Sequence, residues 1–338
     1  MKSKQSAEGM WTTYPTELGE ETSLNRTLTL YVIKPFNPWG STLCTCPPKY
    51  SLHPYTGCSH RCLYCYATSY IGLKYSTPKS NYLRRLQYDI KRVNPKLPIN
   101  MSTSSDPYPP EELQYRLTRK TLEILIPLGF KILITTKNTI FLRDLSILAK
   151  GNVAITLTLT TLDENLASKI EPNTPKPKDR LKAIEKAIQH GIPVGVRLDP
   201  IIPYLNDDPV EIRELIDTVS SIGVKFIVTS TYKVRPDNFK RMIAAFPEIE
   251  YRWRRLYYID GEYRDNYRYL PLNMRMKLLK IVIDCARRSK LSYATCREGL
   301  TSKEWFNAKS CDGTHLIPLK IKPTIHKYNM RKLSQYSN

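Results

Sequence analysis

Long apolar runs are missing from this sequence. No stretch of its 338 residues approaches the run of about 20 apolar residues that a helix needs to cross a bilayer. The N-terminal MKSKQSAEG is polar and has no apolar signal core. We therefore expect a cytoplasmic protein with no transmembrane segment, and disulfides are not favoured in that reducing compartment.

Acidic residues are scarce relative to basic ones. Asp and Glu total 31 and Lys and Arg total 52, which gives a formal net charge of +21 at pH 7. Such an excess attracts polyanions, chiefly nucleic acid or an anionic membrane surface. A generally basic proteome would produce the same composition, since charge alone does not name a partner. We expect a nucleic-acid partner.

A fourth cysteine is missing beside the triplet Cys58, Cys62 and Cys65. The segment GCSHRCLYCY places these three thiols on one short loop with CxxxCxxC spacing. A [4Fe–4S] cluster normally takes four cysteines, so three would leave one iron open to bind another molecule. The spacing predicts such a cluster. Zinc is the alternative, with His53 or His60 completing a site of four ligands.

Short apolar strands alternate with helical patterns through most of the chain, which implies parallel βαβ units with right-handed crossovers. We predict an α/β fold, a partial (β/α)6 TIM-like barrel with active groups at the carboxyl ends of its strands. A doubly wound open sheet is the alternative. The predicted strands are 28–33, 98–102, 131–136, 153–160, 193–198 and 225–229. The predicted helices are 81–93, 111–128, 140–149, 178–190 and 209–222.

The chain divides into three predicted segments. Residues 1–50 form an N-terminal arm and extension, and residues 51–235 form the barrel core. Residues 236–338 form a C-terminal extension with helical and basic-aromatic sequence, which packs on the barrel. The cysteine triplet is expected on a loop after the first strand of the series.

Polar residues stand at the ends of several predicted strands. Ser104 follows the second strand, Lys137 the third, and Thr158 lies near the end of the fourth. A lysine at a strand end places a cation in the mouth of a barrel, where it suits a carboxylate ligand. Arg197 and Asp199 follow in the fifth strand, either as ligand contacts or as an internal ion pair.

Five motifs follow one another along the chain. They are YTGCSHRCLYCYA, SSDPYPPE, TTKNTIFLRDL, TLDENLASKIEPNTP and PIIPYLND. From about residue 50 onward, their order and spacing resemble the spore photoproduct lyase-like radical S-adenosylmethionine (SAM) proteins, often called DNA repair photolyase-like. The resemblance implies a barrel of the radical SAM type. It also implies a [4Fe–4S] cluster that cleaves SAM to methionine and a 5′-deoxyadenosyl radical.

The resemblance extends to individual residues. It implies that Tyr64, Ser104, Lys137 and Thr158 lie near the cofactor. Tyr66, beside the last cysteine of the triplet, is a candidate catalytic residue. An electron donor such as ferredoxin or flavodoxin is the expected partner for the cluster.

One departure from the family pattern concerns hydrogen transfer. The founding activity reverses a thymine dimer in spore DNA, and there a cysteine beside the Ser-Asp motif returns a hydrogen atom to the substrate radical. Residues 101–105 read MSTSS in this chain and contain no cysteine. This departure argues against the photoproduct reaction itself.

Four further cysteines form a possible second metal site. Cys44 and Cys46 make a CxC pair, and Cys296 and Cys311 lie near the other end of the chain. If these ends meet, their soft thiolates would ligate a second iron–sulfur cluster or a zinc ion. The alternative is that they are free buried thiols, which pack as small hydrophobic groups. Cys285 lies in an apolar helical pattern and is expected to pack there.

Arginines alternate with aromatic residues over 251–269. Arginine binds phosphate through a fork of two hydrogen bonds and aromatic rings stack on exposed bases, so this composition suits nucleotides. Arg254, Arg255, Tyr257 and Tyr258 are the candidate substrate contacts. In the alternative arrangement the aromatic rings pack on the barrel and the arginines face water.

These features together predict a radical SAM enzyme, lyase-like or modifying, that acts on a nucleic acid or a nucleotide. One alternative keeps the radical chemistry and changes the substrate to a protein, a lipid or a small metabolite. The other alternative is a non-catalytic nucleic-acid-binding protein stabilised by a closed metal site of four ligands.

Overall fold

The fold was analysed in a computed structural model of the chain. The structure describes residues 29–36, 41 and 43–323. Most of the predicted N-terminal arm, residues 1–28, lies outside the described residues.

The strands are short at the two ends of the chain and longer in its middle. Their bounds are β1 (Ile33–Pro35), β2 (Tyr50–Leu52), β3 (Tyr55–Thr56), β4 (Thr77–Pro78), β5 (Ile99–Met101), β6 (Lys131–Thr136), β7 (Asn152–Thr158), β8 (Val194–Ile201), β9 (Phe226–Thr231), β10 (Glu262–Arg264), β11 (Tyr267–Tyr269) and β12 (Ser292–Thr295). Eight of them form the main sheet, in the order β1-β2-β5-β6-β7-β8-β9-β12. Neighbours from β2 to β12 pair in parallel, and β1 pairs with β2 antiparallel at one edge.

Helices connect the parallel strands. Their bounds are α1 (Thr68–Ile71), α2 (Tyr82–Asp89), α3 (Glu112–Tyr115), α4 (Leu117–Leu125), α5 (Leu145–Leu148), α6 (Glu164–Ile170), α7 (Pro177–Gln189), α8 (Pro209–Ser221), α9 (Pro236–Ala245), α10 (Glu250–Arg254) and α11 (Leu272–Arg288). Short 3₁₀ turns span Ile140–Asp144, Pro247–Ile249 and Thr314–Leu316, and a π-helical turn spans Arg255–Ile259.

Local sequence signals explain where several helices begin. Asp163 and Asp208 each accept hydrogen bonds from two backbone N–H groups in the first turn of α6 and α8. These side chains satisfy donors that have no partner inside the helix. Proline opens α7, α8 and α9, where its fixed φ suits the first turn and its missing N–H costs nothing.

The strands are buried on both faces, as expected for a parallel sheet covered by helices. Every residue of β7 and of β9 is buried. The interior on one side holds the Ile, Leu and Val side chains that pack against the helices. On the other side Gly313 and Leu316, from the C-terminal part, pack against Phe226 and Thr156. This second face carries the polar strand ends described below.

The predicted α/β alternation is confirmed, with β5 to β9 close to the five strands predicted from 98–102 onward. The predicted strand 28–33 is wrong: its described part is strand only at Ile33, and β1 is an antiparallel edge strand. The strand that leads into the cysteine triplet is β2, which the sequence analysis missed. Three residues, Tyr-Ser-Leu, are too few to show a periodic pattern.

The predicted helices differ from the structure at several points, two of them within the predicted barrel core. The predicted helix 111–128 is broken at Arg116, whose φ of +54° is left-handed, so α3 and α4 are separate. Helix α6 was not predicted, because its seven residues show less than two full turns of periodicity.

The main sheet crosses both boundaries of the predicted 51–235 core. Strand β1 lies before this range, and β12 extends the sheet beyond β9. Helix α11 packs on α8 and β9, so the C-terminal extension covers the sheet and also adds a strand to it. The division into three segments stays a prediction.

Candidate metal and cofactor site

A cavity of about 250 Å3 lies at the carboxyl ends of the parallel strands. All three cysteines of the triplet line it. So do the four residues predicted to lie near the cofactor and the predicted catalytic residue, namely Tyr64, Ser104, Lys137, Thr158 and Tyr66. The topology therefore brings these sequence-predicted residues together in one place.

The cysteine loop, residues 57–66, is shaped by two backbone turns. The N–H of Arg61 donates to the Cys58 carbonyl at 3.3 Å, and the N–H of Cys65 donates to the Cys62 carbonyl at 3.2 Å. Gly57 precedes them with φ of +75°, and a Cβ there would lie 2.3 Å from the Tyr75 carbonyl oxygen. Only glycine fits at this position, so the entry to the loop is fixed by sequence.

Helix α9 holds the cysteine loop from the C-terminal part of the chain. The Arg241 guanidinium donates to the Cys65 carbonyl at 2.9 Å and to the Leu63 carbonyl at 3.2 Å. Asn238 Nδ2 donates to the Tyr64 carbonyl at 2.8 Å. These contacts satisfy loop carbonyls that the two turns leave without partners. Sequence reasoning missed Asn238 and Arg241, because an ordinary surface helix carries the same residue types.

Both histidines that could complete a zinc site make other contacts. His60 Nδ1 lies 3.0 Å from the Asn173 carbonyl oxygen and Nε2 lies 3.2 Å from an Asp106 carboxylate oxygen. His53 Nε2 accepts from the Thr103 N–H at 2.9 Å, and burial lowers the pKa of His53 to about 3. Neither histidine completes a zinc site with the triplet.

The donor set of the cysteine loop fits an iron–sulfur cube better than a single ion. Among the described residues, no three Cys, His, Asp or Glu side chains surround one point closely enough to hold a metal ion. The cysteines of a cube each bind a different iron, so their thiols need not meet at one point. The thiols are nevertheless neighbours. Burial, Asp106 and Cys65 raise the pKa of Cys58 to about 11, and burial, with Cys65 and Cys58 adding, raises the pKa of Cys62.

Lys137 places a cation in the cavity at the end of β6. The backbone N–H of Lys137 donates to Asp106 Oδ2 at 2.8 Å. The side-chain Nζ lies 5.7 Å from the centre of the Tyr64 ring. Burial alone would lower the pKa of the Lys137 ammonium, but Cys62 and Glu171 outweigh burial and raise it. The group therefore stays protonated beside the cysteine loop.

Glu171 anchors the aromatic residue of the loop. It is fully buried, accepts a hydrogen bond from the Tyr64 hydroxyl, and forms an ion pair with Arg180. Burial alone would raise the pKa of this carboxyl, but Arg180 and Lys137 lower it. A buried ion pair of this kind fixes geometry more than it adds stability.

A second charged group lines the cavity between β8 and β12. Arg197 pairs with Asp199 at 2.7 Å, which is the internal ion pair that the sequence analysis left open. Lys233 pairs with the fully buried Glu298 at 2.9 Å. The sequence analysis missed Lys233 and Glu298, since no motif marks them and they meet only because β12 lies beside β9.

The four remaining candidate metal ligands also meet at this cavity. Cys44, Cys46 and Cys296 line it, and Cys311 is fully buried with its sulfur 3.3 Å from that of Cys46. We call these four residues the floor cysteines. They bring together two segments that are 265 residues apart in the sequence. Cys285 lies elsewhere, buried in α11 as expected.

Tyr66 lies against other aromatic and basic groups. Its ring is 5.3 Å from that of Tyr267 in an edge contact, and the Arg297 guanidinium is 5.6 Å from its centre. Burial raises the pKa of the Tyr66 hydroxyl above its usual value. A catalytic role for Tyr66 stays a prediction.

The basic-aromatic stretch does not reach the cavity. The predicted contact at Tyr257 is wrong, since this residue is fully buried and its hydroxyl donates to the Tyr232 carbonyl at 3.0 Å, so it cannot stack on a base. Arg254 pairs with Glu250 and Arg255 with Asp260 at the surface. The half-exposed ring of Tyr258 packs on Phe239 and Arg268. The alternative of packed rings and water-facing arginines describes most of this stretch.

The sequence of the cysteine loop and the strands beyond it matches a known domain. The model of the Radical SAM superfamily matches residues 52–216. These residues form a radical SAM domain. The match covers residues 52–216 of the 338-residue chain; it indicates an enzyme and assigns no reaction. No helix among the described residues is long and apolar enough to cross a membrane.

Related sequences come from bacteria and from a virus. An uncharacterized protein of Mycobacterium tuberculosis is 28% identical over 242 residues, which cover 65% of this chain and 71% of the relative. An uncharacterized protein of Acidianus two-tailed virus is 34% identical over 189 residues, covering 50% of this chain and 62% of the relative.

Solved structures of spore photoproduct lyase share the fold. A variant with bound S-adenosylmethionine and dinucleoside spore photoproduct aligns with a TM-score of 0.58 at 16% identity, covering 76% of each chain. A complex with dinucleoside spore photoproduct aligns with a TM-score of 0.56 at 17% identity, covering 79% of this chain and 77% of the other. The predicted fold class and the resemblance to radical SAM proteins are confirmed.

Proposed function

We propose that the radical SAM domain binds a [4Fe–4S] cluster through Cys58, Cys62 and Cys65. One observation carries this proposal: the three thiols line a single cavity together with the polar ends of the parallel strands. Three thiolate ligands leave one iron free for a second molecule. When bound, the reduced cluster supplies the electron that cleaves SAM to methionine and a 5′-deoxyadenosyl radical.

Residues of the cavity wall suit the two ends of SAM. Lys137 would pair with the methionine carboxylate, because its ammonium is protonated and lies beside the cysteine loop. Ser104 and Thr158 offer hydroxyl groups at the ends of two other strands. The Tyr64 side chain is fixed by Glu171, so its backbone and ring form a rigid edge next to the cluster ligands.

The cysteine loop is built to exclude water. Cys62 and Tyr64 are buried, and α9 covers the carbonyl groups of the loop through Asn238 and Arg241. A dry, pre-arranged site protects a reactive radical from side reactions and keeps the cofactor oriented toward the substrate.

We propose a nucleic acid or a nucleotide as the substrate. The net charge of +21 supports attraction to phosphates. Within the cavity Arg297 and Tyr66 lie side by side, which offers a guanidinium for a phosphate next to a ring for a base. A spore photoproduct lyase variant that shares the fold is solved with a bound dinucleoside spore photoproduct.

The photoproduct reaction itself is not part of this proposal. Residues Ser102 to Ser105 line the cavity after β5 and carry hydroxyl groups, with no thiol among them. A hydrogen atom is held far more strongly by a hydroxyl than by a thiol, so these side chains are poor hydrogen-atom donors. These side chains therefore do not replace the missing cysteine, although Cys44, Cys46 and Cys296 bring thiols to the same cavity.

An electron donor of the ferredoxin or flavodoxin class would reduce the cluster. We place this chemistry in the cytoplasm, because all eight cysteines of the chain are free thiols in the structure and a reducing compartment keeps them so.

The radical proposal is tested by anaerobic reconstitution with iron and sulfide, followed by reduction with dithionite in the presence of SAM. We expect a brown protein that releases 5′-deoxyadenosine. The variant Cys58→Ala/Cys62→Ala/Cys65→Ala should release none, and Cys285→Ala, which removes a buried thiol on α11, should behave as the unchanged chain. Absence of 5′-deoxyadenosine from the reconstituted chain would contradict the proposal.

The substrate proposal is tested by binding over a series of salt concentrations. We expect single-stranded DNA or RNA to bind more tightly than anionic vesicles, with affinity that falls steeply as salt rises. Arg297→Met should reduce the slope of log affinity against log salt by about one. A flat response to salt would remove nucleic acid and favour a protein, lipid or small metabolite as the substrate.

The matched control is Arg255→Met, at an arginine outside the cavity that pairs with Asp260 at the surface. We expect it to leave the slope unchanged. An equal reduction in both variants would instead place the nucleic acid over residues 251–269, where Arg254 and Tyr258 are also exposed.

A further inference from the structure

The floor cysteines come from the two flanks of the main sheet. Cys44 and Cys46 lie between β1 and β2, at one edge of the sheet. Cys296 directly follows β12, the strand at the other edge, and Cys311 lies in the segment after it. Strands β2 and β12 are not paired with each other in the sheet. Four of the eight cysteines of the chain therefore meet between the two flanks of the sheet.

Three of the floor cysteines are joined by hydrogen bonds between their sulfur atoms. Cys311 and Cys46 are 3.3 Å apart, and the Cys44 thiol also hydrogen bonds to Cys46. Cys296 packs in the same small cluster as Cys46 and Cys311 and contacts the Arg197 guanidinium. These residues form no disulfide.

Cations lie beside two of the floor cysteines. Lys49, almost fully buried, lies beside Cys46 and forms an ion pair with Asp312. Arg197 lies beside Cys296. Cys285 in α11 also has a cation beside it, since the Arg288 guanidinium donates to its sulfur at 2.9 Å; what sets the floor cysteines apart is that they lie together. Cations beside thiols lower the energy of the thiolate form, which is the form that binds metals.

We propose that Cys44, Cys46, Cys296 and Cys311 form a second metal site, which binds a soft metal as a zinc ion or as an iron–sulfur cluster. Four thiolates are the ligand set that both of these groups prefer. The site goes beyond the proposed radical chemistry and does not depend on it. The metal site holds the segment before β2 against the segment after β12. The ion pair of Lys49 with Asp312 joins the same two segments.

The thiols are close but not yet arranged around one point. No three metal-ligand side chains in the described part of the chain surround a single position. Cys46 now bonds to Cys44 and to Cys311, so metal entry requires the thiols to lose their protons and turn toward a common centre. Rotation of each cysteine side chain to another staggered rotamer moves its sulfur while the backbone stays in place.

The test removes the cysteine loop and asks whether metal remains. The full-length variant Cys58→Ala/Cys62→Ala/Cys65→Ala is purified without oxygen, and its zinc, iron and acid-labile sulfide are measured. We expect about one zinc ion per chain without sulfide, or iron with an equal amount of sulfide. Either result supports the site and tells the two metal groups apart. Because this variant lacks the radical cluster, the outcome is independent of SAM cleavage.

Two further variants assign the metal to the floor cysteines. Adding Cys46→Ala and Cys311→Ala to the triple variant should lower the bound metal at least about tenfold, since two of four ligands are lost. Adding Cys285→Ala instead should leave the metal content unchanged. Metal that persists after the loss of Cys46 and Cys311 would overturn the proposal.

Thiol alkylation of the triple variant gives the same answer without new substitutions. We expect the floor cysteines to resist an alkylating reagent until a chelator is added, and Cys285 to react equally with and without the chelator. Bound metal below about 0.1 per chain, or alkylation that ignores the chelator, would refute the site. A disulfide between Cys46 and Cys311 in the anaerobically purified chain would also refute it.

Discussion

The cysteine loop and the floor cysteines present the same chemical group to one cavity, but the chain builds them differently. The loop gathers three thiols within eight residues through two backbone turns. The floor gathers four thiols from two distant segments, with Cys46 and Cys311 265 residues apart, across the two edges of the sheet. The first arrangement depends on local conformation, and the second exists only when the whole sheet has formed.

The difference also shows in what supports each set of thiols. The loop turns are local, but helix α9 fixes their position through Arg241 and Asn238. The floor depends on buried ion pairs, Lys49 with Asp312 and Lys233 with Glu298. We expect damage to the loop to affect cofactor binding first, and damage to the floor to affect the stability of the whole fold.

The largest expected effect is a reciprocal loss of metal. Cys62→Ala should remove the iron bound by the cysteine loop and stop SAM cleavage. We expect the rate of SAM cleavage to fall more than about 100-fold, because losing a metal ligand costs more than losing a residue that supports one. Cys311→Ala should remove the metal of the floor instead. Metal analysis and 5′-deoxyadenosine release measure the two effects. If either variant lost both metals, the two sets of thiols would be one site.

The second prediction concerns the tie between the two ends of the chain. Lys49→Met leaves the Asp312 carboxylate buried without its partner, and breaking such a pair costs about 3 to 5 kcal/mol of unfolding free energy. Urea denaturation of the chain measures this change. Lys176→Met is the control, since Lys176 pairs with Glu164 in solvent and its loss should leave the unfolding free energy nearly unchanged. Equal effects would show that the floor is not held by this ion pair.

The third prediction concerns the support of the cysteine loop. Arg241→Met keeps the alkyl stem and removes the donors to the Leu63 and Cys65 carbonyls. We expect iron retention to fall about 10- to 100-fold, because supporting hydrogen bonds orient metal ligands. Lys240→Met, at an exposed position on the same helix, should retain iron normally. Iron loss in a chelator challenge measures both variants.

The smallest expected effect is a change in the pH dependence of stability at His53. This residue accepts a hydrogen bond from Thr103, 50 residues away, so its contact joins distant segments as those of the floor cysteines do. Its pKa is about 3 in the fold and about 6.5 when unfolded, so its contribution to stability is complete above pH 6.5 and is lost as pH falls. Between pH 6 and 5 this loss is about 1 kcal/mol.

His53→Gln cannot gain this proton and should therefore lose about 1 kcal/mol less stability over that interval. Urea denaturation at the two pH values measures the difference. Identical pH dependence in the two proteins would mean that folding does not lower the pKa of His53.

Much of the fold could be predicted from the sequence, because buried parallel strands and their helices leave a periodic apolar pattern. Strands β6 to β9 are six to eight residues long and were found. Strand β2 has three residues, and β12 follows a long helix in a segment of basic and aromatic sequence, so neither shows a pattern of its own. Their place in the sheet is decided by pairing with β5 and β9.

The candidate site divides in the same way. Tyr64, Ser104, Lys137 and Thr158 follow motifs or strand ends, and the structure places all four on the cavity wall. The stretch 251–269 has a composition that suits nucleotide binding, yet Tyr257 is buried. Composition does not show which side of a helix or turn meets the protein, since the same rings serve packing and stacking.

The sequence by itself determined the cysteine loop, because eight consecutive residues with a glycine entry fix the spacing of three thiols whatever surrounds them. It also determined the net charge of +21 and the α/β alternation. Only the tertiary structure decided that Cys44 and Cys46 meet Cys296 and Cys311, and that Lys233 meets Glu298. Contacts between distant segments depend on the order of strands in the sheet, which no local pattern encodes.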